Sequence, residues 1–173
     1  MTAVHVGMAD CQVSKDQDTM LITSALGSCI AVLLHDPQAR VAGLLHYMLP
    51  EAGLDPAKAA ERPYMFADTG IPLLFRRAYE LGAQKRRLRV WAAGAANVMD
   101  PNGLFQIGHR NQLAMRRILW RSGVIVEGTD LGGSLSRSVM LEVASGRLLL
   151  RTGGMNRWQA FPAGPNAGMG AAR

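Results

Sequence analysis

Two short apolar runs around a turn constrain this chain more than any other stretch. Thr23-Ser-Ala-Leu-Gly-Ser-Cys29-Ile-Ala-Val-Leu-Leu34 leads through His35-Asp-Pro-Gln-Ala-Arg40 into Val41-Ala-Gly-Leu-Leu-His46-Tyr-Met-Leu-Pro50. Apolar runs of this length bounded by an Asp-Pro-Gln signal read as the two strands of a β-hairpin. With Pro37 and Gln38 at the tip, Cys29 lies directly across from His46. Cβ atoms so paired are about 5 Å apart, with both side chains on one face. A turn of odd length would instead send them to opposite faces.

A thiol and an imidazole at that separation can share a proton, which is the minimal equipment of a cysteine nucleophile. The alternative is structural: cysteine is among the most buried residue types, and a lone histidine on a strand is often part of the packing. Both readings stand at this point.

A chain of 173 residues, 49% hydrophobic and 18% charged, fits one globular domain with a proper core. No apolar stretch approaches the roughly 18 residues that span a bilayer. The N-terminus lacks a basic segment followed by an apolar one, so no secretory signal is expected. Two cysteines do not make a disulfide framework, and a reducing, cytoplasmic setting suits a free thiol. The net charge of +6 is concentrated at Arg76-Arg77, Lys85-Arg86-Arg87 with Arg89, and Arg116-Arg117 with Arg121. These clusters fall on helix faces and ends without interleaved aromatics. That favours solvated faces, or an acidic protein partner ahead of nucleic acid. The histidines and cysteines are too scattered to suggest a zinc site, and no cofactor is called for.

The pattern predicts strands at residues 3–8, 20–24, 88–93, 124–128, 138–143 and 148–152, besides the hairpin. It predicts helices over 69–81, ending at Gly82, and over 110–122, ending at Gly123. In the first, Pro72 is tolerable only within the first turn; in the second, Leu113, Ile118 and Leu119 face inward. Residues 10–19 and 51–63 read as loops, and residues 94–108 as a loop too long to be a mere connector. The expected architecture is an α/β (α+β) layered sandwich, a mostly antiparallel mixed sheet with two main helices. Residues 1–151 form the domain. Residues 152–173, rich in Gly, Ala and Pro, read as a flexible tail, with Trp158 and Phe161 as isolated aromatics.

Four fragments occur in order: Thr-x-x-Leu-Gly-Ser-Cys (residues 23–29), His46 followed by Met-Leu-Pro (48–50), Ile-Gly-x-Arg-Asn (107–111) and Asp-x-Gly-Gly (130–133). Together they resemble the chemoreceptor glutamine deamidases, the CheD family of bacterial chemotaxis. The resemblance covers roughly residues 3–152. It implies a three-layer α/β sandwich and a triad of Cys29, His46 and Thr23 that hydrolyses receptor glutamine side chains to glutamate. It also implies methyl-accepting chemotaxis receptors as substrate. A regulatory role, docking on a CheC-type phosphatase, is a second reading of the same resemblance. The chain departs from the family pattern at Ala25 and Ala93, where Gly is usual, and at Ser136, where Gly usually precedes the Arg. The added methyls of Ala25 and Ala93 bear on backbone geometry in tight loops.

In the implied chemistry Cys29 attacks as a thiolate paired with His46, which then protonates the departing ammonia. Thr23 orients the imidazole, and N–H groups of the Gly27-Ser28-Cys29 turn receive the oxyanion. Cys11 reads as incidental, and His35 as solvated at the turn. His109 lies near a matched loop at a position that the family pattern does not fix. Arg110 and Asn111 read equally as substrate binders or as caps of the second helix. The Asp130-Leu-Gly-Gly133 loop reads either as cleft lining or as a plain glycine turn.

Overall fold

The apolar hairpin forms, and it is sandwiched between two other layers. The computed structural model describes residues 1–98, 100 and 102–162. Its strands in chain order are β1 (Thr2–His5), β2 (Asp10–Ser14), β3 (Thr19–Leu26), β4 (Ile30–Asp36), β5 (Val41–Tyr47), β6 (Arg89–Gly94), β7 (Gly128–Leu131), β8 (Arg137–Glu142), β9 (Leu148–Thr152) and β10 (Gln159–Ala160). The α-helices are α1 (Pro56–Glu61), α2 (Ala67–Glu80) and α3 (Ile107–Arg121). One sheet runs β2-β5-β4-β6-β7 and the other β1-β3-β8-β9-β10. Pairing is antiparallel except for β1 with β3 and β6 with β7.

Every residue of β4 and β5 is buried, because this sheet is covered on both faces. Ile30, Val32 and Leu34 join a core with Ile71 and Leu74 of α2 and Met115 and Leu119 of α3. Ala31 and Leu33 turn the other way, into a core shared with Leu21, Val139 and Leu141 of the second sheet. The layered α/β class is as expected, but the strands divide between two sheets. Continuous burial of β4 and β5 erases the alternation that would have revealed a second covering layer.

The hairpin turn occupies residues 37–40, twice the expected length, so Ala31 rather than Cys29 stands opposite His46. Asp36 explains the longer turn: its carboxylate accepts from the N–H groups of Gln38 (2.9 Å) and Ala39 (3.0 Å). Arg40 then closes it in the left-handed region at φ +52°. A shift of two residues preserves the face, so Cys29 and His46 remain diagonal neighbours pointing at the second sheet.

Other elements differ from the expected ones in instructive ways. Residues 10–14 form β2 against β5, although their polarity reads as loop, because only Cys11 of that edge strand is fully buried. Residues 51–63 contain α1, capped by the Asp55 carboxylate on Lys58 N–H. Helix α2, the first of the two expected, begins at Ala67, so Pro72 falls beyond its first turn. In α3, Leu113 is exposed while Met115 and Leu119 are buried. β7 starts at Gly128, where the expected strand ended. Within residues 152–162, Gln159–Ala160 pairs with β9, and Phe161 packs on the inter-sheet core. Trp158 lies under the Arg151 guanidinium, 4.8 Å from ring centre. The remainder of the expected tail, residues 163–173, lies outside the described residues.

Ala25 sits at φ +57°, where the β3–β8 register shifts between Thr23 and Leu26. A side chain in that region costs roughly 1 kcal/mol, partly offset by the greater freedom of Gly in the unfolded chain. Ala25→Gly is therefore expected to stabilise the fold by about 0.5 kcal/mol, measured by denaturant unfolding; a destabilised variant would contradict this. Ala93 lies in β6, within the strand expected over residues 88–93 and not in a tight loop, paired with Ala31 and fully buried. Its methyl fills the inter-sheet core.

Candidate active site

Thr23 and His46 meet across the two sheets. Thr23 projects from β3 and His46 from β5, both 2% exposed, with Thr23 Oγ1 2.8 Å from His46 Nδ1. The same hydroxyl donates to the carbonyl of Val6 at 2.7 Å. A hydroxyl has one proton, and Val6 O can only accept it, so Thr23 Oγ1 must accept from Nδ1–H. The imidazole is thereby fixed in the Nδ1–H form, and its Nε2 carries the free lone pair. That Nε2 is buried and has no hydrogen-bond partner among the described residues. A buried lone pair left open in this way calls for an explanation, and the half-buried Cys29 lies on the same face of the sheet.

Cys29 stands at the end of a loop whose carbonyls all turn into the protein. Gly27 O accepts from Ala96 N (2.7 Å), Ser28 O from Asn111 Nδ2 (2.9 Å) and Cys29 O from Ala95 N (2.8 Å). The N–H groups of Gly27 and Ser28 meet no protein acceptor among the described residues. Gly94 permits this packing: at φ +121°, its missing Cβ would stand 2.2 Å from Cys29 O.

A cavity of about 680 Å³ opens beside Ser28, walled by Ala95, Asn97, His109, Gln112 and Gly133. The glycine loop thus lines the cleft as well as turning, with Gly132 and Gly133 both at positive φ. Arg137 holds that loop from behind. It is ion-paired to Asp130 at 2.8 Å and hydrogen-bonded to the carbonyls of Gly132 and Leu135.

The remaining candidates divide. Arg110 is exposed and lines a separate, smaller hollow with Glu51. Asn111 is fully buried and neither caps α3, whose N-cap is Gln106, nor reaches the cavity. Cys11 is buried on the helix side, and burial pushes its thiol up to about 12. His35 is not solvated: it is 1% exposed and bonds Val143 O through Nε2 at 3.0 Å. β4 runs on through Asp36, so His35 lies within it, facing the second sheet. Among the described residues, no three His, Cys, Asp or Glu side chains gather where a metal could be held.

Burial acts on both members of the pair. It lowers the His46 imidazole to about 4 and raises the Cys29 thiol. Both shifts favour neutral thiol and neutral imidazole, in place of the expected ion pair. The His46 shift also has a consequence for stability. An unfolded imidazole protonates near its ordinary 6.5, so below that pH the unfolded state gains a proton the folded state refuses. Stability is then fully present above 6.5 and falls as pH drops toward 4, by up to about 3 kcal/mol from this group. Denaturant unfolding at several pH values checks it: His46→Gln should lose less stability than the parent between pH 6.5 and 4. An equal loss would show that His46 titrates normally. His35, shifted the same way by burial, contributes to both proteins alike.

The site so far is a layered α/β scaffold that holds an oriented, unprotonated imidazole nitrogen and a free cysteine on one face of its central sheet. A family model described as CheD chemotactic sensory transduction matches residues 48–152. A probable chemoreceptor glutamine deamidase CheD of Solibacter usitatus is 48% identical over 97% of this chain and 99% of its own. A similarly named protein of Syntrophus aciditrophicus is 46% identical, over 89% of this chain and 96% of its own. The chain belongs to the CheD family. A further relative bearing that name, from Anaeromyxobacter dehalogenans, is 47% identical over 88% of this chain and 96% of its own.

Proposed function

We propose that this protein deamidates glutamine side chains of methyl-accepting chemotaxis receptors, with Cys29 as nucleophile, His46 as acid–base and Thr23 as its orienting partner. The observation that carries this reading is the unpartnered Nε2 of His46, its lone pair left free by the Thr23 and Val6 hydrogen bonds, with Cys29 on the same face of the sheet. The names of the relatives supply the substrate class.

The neutral pair prescribes the order of events. As Cys29 Sγ forms its bond to the carboxamide carbon, its proton passes to His46 Nε2, since a preformed ion pair is disfavoured by burial. The carbonyl electrons move to oxygen, where the unpaired N–H groups of Gly27 and Ser28 and that of Cys29 can receive the charge. The imidazolium then protonates the nitrogen, the C–N bond breaks and ammonia departs. Water, losing its proton to Nε2, adds to the thioester; the sulfur leaves and is reprotonated, giving glutamate. Throughout, Thr23 Oγ1 accepts from Nδ1–H, so Nε2 stays the reactive nitrogen.

The setting consistent with this role is cytoplasmic, where receptor signalling helices and reduced thiols are both found; among the described residues no helix is long and apolar enough to cross a membrane. Incubating receptor fragments with the protein and following ammonia release, with mass spectrometry of the glutamines, tests the reading. Unchanged glutamines would refute it. Docking on a CheC-type phosphatase is favoured as a second role by Leu104 and Phe105, 78% and 70% exposed beside the cleft, which the chemistry does not use.

A further inference from the structure

The ladder between β4 and β5 ends at Ile30 and Tyr47. Beyond that pair the chain from β5 turns away, its Met48 N–H donating to Met65 O at 2.9 Å. Cys29 and the loop before it therefore lie past the last rung that ties them to the strand carrying His46. At this gap stands Asn111, fully buried. Its Nδ2 donates to Ser28 O and to Met48 O, each at 2.9 Å. Both neighbours are carbonyls, so only the amide nitrogen can face them. Its Oδ1 is buried without a partner among the described residues. Tyr47 Oη donates to the Asn111 carbonyl at 2.7 Å, fixing this turn of α3 against the residue next to His46.

The contact with Ser28 reaches further than one bond. Ser28 C=O and Cys29 N–H belong to one planar trans peptide and point in opposite directions. Anchoring the carbonyl inward therefore aims the Cys29 N–H outward, and Ala96 does the same for the Ser28 N–H by holding Gly27 O. We propose that Asn111 is a positioning residue: it clasps the carbonyl before the nucleophile to the strand end after the base, setting both the Cys29–His46 approach and the direction of the Cys29 N–H. This rests on the deamidase reading and deepens it.

The test uses the full chain with Asn111→Ala and Asn111→Ser, the second keeping one donor at smaller volume. Turnover on receptor fragments is normalised to the folded fraction measured by circular dichroism, so that a merely lower folded fraction cancels. Loss of one oxyanion donor's alignment is worth on the order of 10²-fold in kcat. That fall is expected for Asn111→Ala with KM little changed, and a smaller fall for Asn111→Ser. The pH dependence of Cys29 alkylation should also move in both variants, a readout independent of receptor. Folded variants with kcat within about threefold of the parent, well short of that loss, and an unchanged alkylation profile overturn the clasp. A parent that releases no ammonia overturns the deamidase reading instead, and the alkylation profile then still decides the clasp. Should Asn111→Ala fail to fold, Asn111→Ser carries the same comparison.

Discussion

Cys29→Ala is expected to reduce glutamine deamidation by at least about 10³-fold, the scale seen when a covalent nucleophile is removed. The reason is local. Among the described residues the other cysteine, Cys11, lies on the opposite side of the central sheet, with its thiol pushed up to about 12, so nothing can substitute for the lost sulfur. Fold and receptor affinity should survive, because Cys29 is half-buried and its backbone bond from Ala95 remains. His46→Ala should cost a similar factor, and the double variant little more, since two groups serving one proton transfer act as a unit. Ammonia release and mass spectrometry of receptor fragments measure all three. Substantial turnover in Cys29→Ala would remove the covalent mechanism, and additive losses would separate the two residues.

How much of this was legible before any coordinates depends on the distance over which each residue acts. Cys29 immediately precedes β4 and His46 lies on the neighbouring β5, so hairpin periodicity placed them on one face even with the turn length misjudged. The slip was harmless to the pair because it was even; His35 was misplaced for a separate reason, since β4 runs two residues past Leu34 to Asp36. Thr23 looks like any β-branched strand residue; its partner belongs to the other sheet, and only resemblance marked it. Asn111 was visible as a motif residue with an undecided role. Its two acceptors are 83 and 63 positions away, beyond any local pattern. The division into two sheets was hidden for a related reason: strands buried on both faces carry no alternation from which to count the layers above them.

Gly94→Ala is the second substitution expected to have a large effect, and it would act on fold and site together. At φ +121°, Gly94 occupies backbone space that a side-chain-bearing residue enters only at about 1–3 kcal/mol. The added methyl would stand 2.2 Å from Cys29 O and 3.2 Å from both Cys29 C and Ile30 Cα. These are main-chain atoms at the end of the hydrogen-bonded ladder between two interior strands, so no rotamer change relieves the contact. Overpacking of this kind costs a further 1–3 kcal/mol or so, for an expected loss of about 2–5 kcal/mol in denaturant unfolding. Relief must come from Cys29 retreating, which would break the Ala95 N–H to Cys29 O bond and swing the nucleophile away from His46. Turnover per folded molecule should therefore fall as well, unlike the outcome for a simple destabilising change. Gly7→Ala is the control: its methyl meets nothing within 4 Å, and it should leave both stability and turnover nearly unchanged. A Gly94→Ala protein as stable and active as the parent would mean that the backbone at Cys29 is not held as described, and the oxyanion geometry built on it would have to be abandoned.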